Sequence, residues 1–360
     1  MGTLNAEHYD LSTGLSGSCT HTLSQPKFSI IVPMYNAEET IGRTIESVIG
    51  QTCHSWELII VDDCSTDKGS EICQSYIEGY ADFSIKLLHL KENSGNAKRP
   101  WDTGVLNAGG EYCLKLDSDD TLAREYLEIM SKHISDGADV VIPIMTMVAH
   151  NADNILGQIP INTFIAHQLL SGKDACRLTI PEWQIGCGGM AFKKVLYDYV
   201  FSLNDFFYMN SDELSERIIL YYADKVALSD ARYFYYQHPE SITHKPSVKL
   251  CEMLYVDVQI MNFVSERYDS ELIQRAKQKL VSRLIVLQKQ YIKSKKLFSK
   301  AEWSKISDTI RENYYLADWK SAQISRIKSF LYSRGYRIFR LVCTCNCFID
   351  KIRQKCFSQS

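Results

Sequence analysis

The sequence has no run of about 18 apolar residues, so we expect no transmembrane helix. Residues 1–26 lack the basic start and apolar centre of a secretion signal, and their Ser, Thr and Gly content predicts a flexible leader. No Gly-x-Gly-x-x-Gly motif follows a predicted strand, which argues against a dinucleotide-dependent dehydrogenase. The formal net charge of -3 gives no indication of nucleic-acid binding. We therefore expect a cytoplasmic globular protein.

The twelve cysteines are scattered along the chain, and without a secretion signal we expect reduced thiols. Only Cys343, Cys345 and Cys347, with Cys356 beyond them, form a cluster. Their alternate spacing without neighbouring histidines matches no common zinc site. The cluster is therefore either a set of small apolar side chains or an unusual metal site.

Between residues 28 and 143, short β-rich runs alternate with segments of helical periodicity. The predicted strands span residues 28–32, 57–61, 85–90, 112–116 and 139–143. Helices are predicted between them, the first with Asn36 as its N-cap and the others at residues 67–80, 101–108 and 122–135. This alternation predicts an α/β fold with a doubly wound, mostly parallel sheet.

Three regions are expected along the chain. The leader at residues 1–26 precedes a globular domain at 27–245, whose halves are 27–143 and 144–245. The second half is less regular, with a helix predicted at 211–223 and strands at 226–228 and 233–236. From 246 to 360 the pattern becomes helical and densely charged, which predicts a helical C-terminal appendage.

Polar residues follow three of the predicted strands where each strand ends. Residues 33–36 follow the first strand, Asp62 and Asp63 the second, and the segment Asp117-Ser118-Asp119-Asp120 the fourth. Ligands on doubly wound sheets bind beyond the carboxyl ends of the strands. These residues therefore predict one shared binding site.

The segment 117–120 places three carboxylates within four residues. Such charges repel one another unless a cation neutralises them, and all-oxygen ligands select Mg²⁺ or Mn²⁺. The alternative is a solvated acidic turn that caps the next helix. The residues alone leave both interpretations open.

The segments FSIIVPMYNAEETIGRTIESVIGQT, WELIIVDDCSTD and NAGGEYCLKLDSDD together resemble the nucleotide-binding half of the family 2 glycosyltransferases, which have the GT-A fold. The resemblance implies an inverting, metal-dependent (Mn²⁺ or Mg²⁺) transfer of one sugar from a nucleoside-diphosphate sugar, often a UDP-sugar. It implies that Pro33 and Tyr35 line the nucleotide pocket, that Asp63 contacts the base, and that Asp119 and Asp120 hold the metal. The full set of donor-binding residues expected from the strand ends and the resemblance is Pro33, Tyr35, Asn36, Asp62, Asp63, Lys98, Arg99, Asp117 and Asp119.

An inverting transfer requires a general base for the acceptor hydroxyl and no covalent nucleophile. The family usually supplies this base from an acidic pair at a helix start in its second half. Asp212 is similar in position to that base, and Glu213 is the alternative. Both residues can also be read as the N-terminal cap and first turn of a helix.

The chain departs from the family between residues 93 and 104. Relatives often carry a small-residue run ending in Ala-Arg-Asn, whereas here Trp101 and Asp102 occupy the Arg and Asn positions. Lys98 and Arg99 lie upstream. Either cation can reach a diphosphate from a loop, or both are surface charges.

Two further residues bear on the acceptor or on closure of the site. Trp183 can stack on a sugar or pack in the core, and His238 lies in a segment that resembles a flexible donor lid but can equally be solvated. The Gln-x-x-Arg-Trp motif of processive synthases is absent, which favours single addition. We expect a glycan or lipid-linked acceptor in cell-surface polysaccharide synthesis. A sugar nucleotidyltransferase and a non-catalytic nucleotide-sugar-binding protein are the alternatives.

The C-terminal segment 320–360 carries nine Lys/Arg and one carboxylate, Asp350. Apolar residues at helical spacing accompany the cations: Ile324, Ile327, Leu331, Ile338, Leu341 and Ile352. Such a helix either lies on an anionic membrane surface or packs on the rest of the protein with its cations in solvent. The first alternative predicts peripheral attachment to the inner face of a membrane.

Overall fold

The computed structural model describes residues 27–149, 154–159, 169–237, 246–320 and 324–357, with side chains described as far as residue 350. Contacts divide the chain into two compact units. The sheet unit comprises Met1–Thr179, Trp183–Phe207 and Ser215–His238, and the helical unit comprises Ile180–Glu182, Tyr208–Leu214 and Pro239–Ser360. The sequence predicted a boundary near residue 245. It did not predict that residues 180–182 and 208–214, which precede this boundary, would belong to the helical unit.

In the residues described, the sheet unit contains ten strands. They are β1 (Phe28–Met34), β2 (Trp56–Asp62), β3 (Ile85–His89), β4 (Tyr112–Lys115), β5 (Thr121–Leu122), β6 (Val140–Ala149), β7 (Ile155–Ile159), β8 (Leu169–Leu170), β9 (Ala191–Lys193) and β10 (Val226–Gln237). The main path of the sheet is β3-β2-β1-β4-β9-β6-β10-β5, with β7 paired to β6 and β8 to β10.

The strands β3, β2, β1 and β4 are parallel to one another, and so are β6 and β10. This confirms the predicted mostly parallel α/β sheet. The antiparallel strand β9 joins the two parallel groups, and β5, β7 and β8 are also antiparallel. None of these four was predicted, because they are short or lie in the less regular second half. The two strands predicted at 226–228 and 233–236 are one strand, β10, with a shift in register between Leu228 and Arg232.

Seven α-helices begin between residues 41 and 212 in the described part of the chain: α1 (Ile41–Ile49), α2 (Gly69–Gly79), α3 (Lys98–Asn107), α4 (Tyr126–Ser135), α5 (Gly172–Arg177), α6 (Tyr197–Leu203) and α7 (Asp212–Tyr222). The first four confirm the predicted alternation of strand and helix. α3 begins three residues earlier than predicted, and α4 begins four residues later because β5 occupies the start of its predicted range.

Helices cover both faces of the sheet, and the alternation of side chains in β1 shows how. Phe28, Ile30 and Val32 belong to one hydrophobic cluster with apolar residues of α1, α2 and α4. Ile31 points to the opposite face, where it contacts α3 so closely that Gly104 has no room for a β-carbon. Because β1 is buried on both faces, its sequence is continuously apolar rather than alternating.

The helical unit consists of α8 (Met253–Ser265), α9 (Ser270–Ser294), α10 (Lys300–Leu316), α11 (Arg326–Tyr332) and α12 (Tyr336–Phe357). Three of these helices have the polar caps that favour helix starts: Asp269 accepts from the Leu272 amide, Ser299 with Glu302 forms a capping box, and Ser325 accepts from the Lys328 amide. Apolar side chains from all five elements form a separate core. In the residues described, no helix is long and apolar enough to cross a membrane.

Candidate functional site

The carboxyl ends of β1, β2 and β4 meet at one edge of the sheet. β1 lies between β2 and β4 and pairs in parallel with both, with Met34 opposite Asp62. The strand order reverses at β1, and such a switch point forms a crevice beyond the strand ends. The polar segments that follow these three strands are therefore brought to the same edge, as the sequence predicted.

Residues 117–120, which we call the acidic turn, are anchored through Asp120. Its side chain is fully buried, with Oδ2 accepting a 2.7 Å hydrogen bond from the Tyr233 hydroxyl and Oδ1 a 2.9 Å bond from the Tyr236 amide. The Tyr233 hydroxyl also accepts a 3.2 Å bond from the Asp117 amide. Burial, followed by the charges of Asp117 and Asp119, raises the pKa of Asp120 well above its ordinary value. Asp120 thus ties the turn to β10.

Helix α1 holds the same turn from the other side. Arg43 Nη2 donates a 2.7 Å bond to the carbonyl of Asp119, and the Thr44 hydroxyl lies 3.0 Å from the carbonyl of Ser118 and 2.9 Å from that of Asp120. The Arg43 guanidinium also stacks 3.7 Å from the ring centre of Tyr236. Arg43 and Thr44 were not predicted from the sequence, because the pattern of a helix does not indicate which of its polar side chains contact a distant turn.

In the acidic turn, burial and neighbouring negative charge disfavour the ionised carboxylates, and a bound cation would offset this cost. Burial and then the charge of Asp117 raise the pKa of Asp119 from 3.8 to about 6. Asp117 is partly exposed, and Lys115 lies 3.1 Å from its Oδ1. In the described residues no group of three or more His, Cys, Asp or Glu is arranged to hold a metal. An ion at Asp117 and Asp119 would have to take its remaining ligands from water and substrate phosphates, as Mg²⁺ commonly does.

The end of β2 presents two neighbouring carboxylates with different surroundings. Asp62 is engaged within its own loop, accepting from the Ser65 amide and the Ser70 hydroxyl. Asp63 accepts from the amide and the hydroxyl of Ser94, at 2.8 and 2.9 Å. Burial raises the pKa of Asp63 above its ordinary value, partly offset by these bonds. Cys64 follows with a φ of 62°, a left-handed conformation that is uncommon for cysteine and that occurs often at functional sites.

The end of β1 differs from the prediction in one respect. Asn36 does not cap α1, which begins five residues later without a side-chain cap. Its Oδ1 accepts a 2.8 Å bond from the Thr66 amide, and its φ of 49° is in the left-handed region that Asn tolerates. Pro33 is buried in β1, whereas Tyr35 is 48% exposed at the edge of the sheet. Asn36 therefore connects the loops after β1 and β2.

The two cations of the altered segment are not on a loop. Lys98 and Arg99 lie in the first turn of α3. Lys98 is buried and forms a 2.6 Å ion pair with Asp102, which also accepts a 2.7 Å bond from Tyr197. This pairing gives Lys98 a structural partner and corrects the expectation of a loop cation. Arg99 is exposed and lies 3.3 Å from Glu92.

Trp101 and Trp183 also have defined environments. Trp101 is buried against Phe192 and Tyr197. Trp183 is half-buried, and the buried guanidinium of Arg217 stacks 4.0 Å from its ring centre. One face of Trp183 is therefore occupied by a protein cation, and an acceptor role for its other face stays a prediction. His238 lies outside the described residues.

Asp212 and Glu213 begin α7, as predicted, in the part of that helix that belongs to the helical unit. Glu213 joins a four-charge network with Lys279 at 2.5 Å and Arg283 at 3.7 Å, and both cations also contact Asp257. The Asp257 side chain is 1% exposed. Glu213 is thus committed to ion pairs, Asp212 Oδ1 accepts a 3.2 Å bond from the Glu213 amide, and the role of Asp212 as the base stays a prediction.

The cysteine cluster lies on α12. Cys343 and Cys347 are buried on one face, whereas Cys345 is exposed on another. Burial raises the pKa of the Cys343 thiol to about 12, so it is protonated at neutral pH. The three side chains do not converge in the described structure, which supports their interpretation as small apolar groups.

The fold and this edge of the sheet define the class of protein. Residues 29–199, just under half of the chain, match the model of glycosyl transferase family 2. The resemblance found in the three sequence segments is thereby confirmed.

Individual relatives are similar over a limited length. The putative teichuronic acid biosynthesis glycosyltransferase TuaG of Bacillus subtilis is 42% identical over 104 residues, 29% of this chain and 40% of TuaG. The poly(ribitol-phosphate) beta-N-acetylglucosaminyltransferase TarP of Staphylococcus aureus is 43% identical over 104 residues, 28% of this chain and 31% of TarP. The matches thus span less than half of each relative.

Similarity to solved structures extends further along the chain. The crystal structure of S. aureus TarS 1-349 in complex with UDP-GlcNAc matches with a TM-score of 0.61 and 18% identity, over 91% of this chain and 92% of that chain. At this identity the match shows a shared fold. The predicted GT-A-like architecture with C-terminal helices is confirmed.

Proposed function

We propose that this protein is an inverting glycosyltransferase that transfers one sugar from a UDP-sugar to a glycan or lipid-linked acceptor in cell-surface polymer synthesis. The observation that carries the proposal is the meeting of Tyr35, Asp63 and the acidic turn at one switch point of a family 2 fold. In this proposal the exposed ring of Tyr35 and the carboxylate of Asp63 contact the nucleoside, and the acidic turn takes the ion and the diphosphate.

In this proposal Asp119 and Asp117 hold Mn²⁺ or Mg²⁺. The resemblance implies Asp119 and Asp120 as the ligands, but both carboxylate oxygens of Asp120 accept hydrogen bonds inside the protein. The bound ion would neutralise charge on the leaving diphosphate. Arg43 and Tyr233 fix the backbone that carries these carboxylates, so that little reorganisation is needed when the donor binds.

The donor contacts follow from the strand ends. Asp63 is assigned the base contact on the resemblance; it is 3% exposed and both its oxygens accept from Ser94, so a base N–H would share one of these oxygens. Tyr35 offers an exposed ring, and Pro33 and Asn36 shape the loop around it. Asp62 supports this loop and Lys98 supports α3, so we assign neither a direct donor contact. Arg99 remains a candidate because it is exposed.

Inversion requires one displacement, in which a base accepts the proton of the acceptor hydroxyl as the new bond forms. We assign this proton to Asp212, on the resemblance and on the engagement of Glu213 in ion pairs. The acceptor class rests on the names of two relatives: TuaG is named for teichuronic acid biosynthesis, and TarP is named as a poly(ribitol-phosphate) beta-N-acetylglucosaminyltransferase. The UDP donor rests in part on the bound UDP-GlcNAc of TarS.

The test is donor hydrolysis measured with a panel of UDP-, GDP- and dTDP-sugars, in Mn²⁺ and in EDTA. We expect slow hydrolysis of at least one UDP-sugar that depends on the metal. The Asp119→Asn variant should lose this hydrolysis, and Asp82→Asn, the same change at an exposed position, should retain it.

Two results would contradict the proposal. The first is the absence of turnover with every donor together with the absence of metal-dependent UDP binding. The second is equal turnover in EDTA and in Mn²⁺, which would remove the ion from the reaction.

A further inference from the structure

Helix α12 has two apolar faces, and only one of them packs against the protein. Phe339, Cys343 and Cys347 are buried, and the first two belong to the core of the helical unit. The opposite side, which we call the outer face of α12, consists of Ile338, Leu341, Cys345, Phe348 and Ile349. These residues follow helical spacing, and Leu341 and Phe348 are 63% and 66% exposed. The helix therefore presents an apolar stripe to its surroundings.

The preceding helix repeats the feature. Ile327 is 74% exposed and Phe330 is 55% exposed on α11. Ile324, which the sequence placed on the same stripe, packs instead against the core of the helical unit. Leu331 is partly buried, and the side chain of Ile352 is outside the described set. Of the predicted stripe, Ile327, Ile338 and Leu341 are exposed, and the outer face of α12 extends it with Cys345, Phe348 and Ile349.

Cations flank this apolar surface. Arg326 and Lys328 are exposed on α11, Arg334 follows that helix, and Arg337 is exposed beside the outer face of α12. Of the residues from 320 to 360, nine are Lys or Arg and one is acidic. That acid, Asp350, lies 3.9 Å from Lys289 on α9. The segment therefore combines an apolar stripe with a net positive charge.

An exposed apolar stripe flanked by cations favours one of two possible binding partners, a second copy of the chain or a lipid surface. A second copy of the chain would cover the apolar stripe but would bring like cations against one another. An anionic lipid surface satisfies both properties, because its headgroups attract the cations and its acyl boundary accepts the apolar side chains. A helix of 22 residues is about 33 Å long and can lie flat along that boundary.

We propose that α11 and α12 bind an anionic lipid membrane, with the outer face of α12 inserted at the headgroup boundary and the flanking cations on the phosphates. This inference rests on the exposed residues and their charge and is independent of the proposed transfer reaction.

The test is co-sedimentation of the full chain with vesicles of phosphatidylcholine that contain about 30% phosphatidylglycerol, and with vesicles of phosphatidylcholine alone. We expect binding to the anionic vesicles and at least about tenfold weaker binding to the neutral ones. About 0.5 M NaCl should weaken the binding, because salt screens the cations.

Two variants separate the outer face from general surface effects. The change Leu341→Asp should weaken binding by about tenfold or more, since it places a charge at the acyl boundary. The matched control is Val286→Asp on α9, which is 60% exposed and should bind as the wild type does. Far-ultraviolet circular dichroism and melting temperature confirm that both variants are folded.

Three results would overturn the inference. Equal binding of the wild type and Leu341→Asp would show that the outer face is not inserted. Equal binding to neutral and anionic vesicles would remove the role of the cations. Failure to bind vesicles, together with self-association that Leu341→Asp abolishes, would identify a second copy as the occupant.

Discussion

The Asp119→Asn variant should make the metal-free protein more stable near neutral pH while it destroys metal binding. The pKa of Asp119 is about 6, against an ordinary value of 3.8, because the carboxylate is buried beside Asp117. A difference of about two pKa units corresponds to about 3 kcal/mol, which is an upper limit for one coupled group. Asparagine has nearly the same shape and no charge, so it removes this repulsion from the folded state.

The sign of the pH dependence follows from proton linkage. The folded state binds the Asp119 proton more tightly than the unfolded state does, so ionisation of this group destabilises the fold. The effect is absent below about pH 4 and grows until about pH 6. The stability advantage of the variant should therefore be full at about pH 7.5 and about half as large at pH 5.

The assay is thermal melting in EDTA at these two pH values, repeated with Mn²⁺. A difference of about 3 kcal/mol in a domain of this size corresponds to several degrees. Mn²⁺ should raise the melting temperature of the wild type and not that of Asp119→Asn. The exposed Asp82→Asn change is the control and should have little effect at either pH. A variant that melts below the wild type in EDTA near neutral pH would refute the reasoning, and so would an equal difference at both pH values.

Three further changes probe the base, the helical unit and the anchor of the acidic turn. Asp212→Asn should lower sugar transfer by a factor of roughly 10² to 10⁴ in steady-state assays and leave UDP affinity in calorimetry near that of the wild type. Lys279→Met removes the 2.5 Å ion pair with Glu213 and one of two cations near the buried Asp257, so unfolding in urea should show a loss of about 1.5–3 kcal/mol. Tyr233→Phe removes one hydrogen bond to the buried Asp120 and should cost about 1–3 kcal/mol in the same urea assay. An Asp212→Asn variant that no longer binds UDP, or either of the other variants at wild-type stability, would contradict these assignments.

The parallel half of the sheet was predictable because its strands are buried on both faces. A strand such as β1 must be continuously apolar, and a helix must follow it for the next strand to be parallel. The polar ends of β1, β2 and β4 then had to meet at one edge. The short antiparallel strand β9 was not predictable, because three residues carry too little periodicity to be distinguished from a loop.

The partners of charged side chains were the part of the site that the sequence did not reveal. Lys98 and Asp102 are four residues apart and form a buried ion pair. They can pair in this way because α3 begins at Lys98, so that both residues lie on the same helix. Glu213 finds its cations on α9, 66 and 70 residues later in the chain. Such long-range pairs depend on packing, and no local pattern specifies them. For the same reason the capping role expected of Asn36 was wrong, since Thr66 from the next loop satisfies its side chain.

Asp119 and Asp120 show how adjacent identical residues acquire opposite roles. Asp120 is fully buried, where two hydrogen bonds from β10 hold it, whereas Asp119 is only partly buried. A buried carboxylate with both oxygens satisfied fixes the backbone of its neighbour. Burial, followed by the charge of Asp117, raises the pKa of Asp119. An ion bound at the turn would offset both effects and stabilise the ionised form of Asp119, so the residue that anchors the turn and the residue that meets the ion are adjacent in the chain.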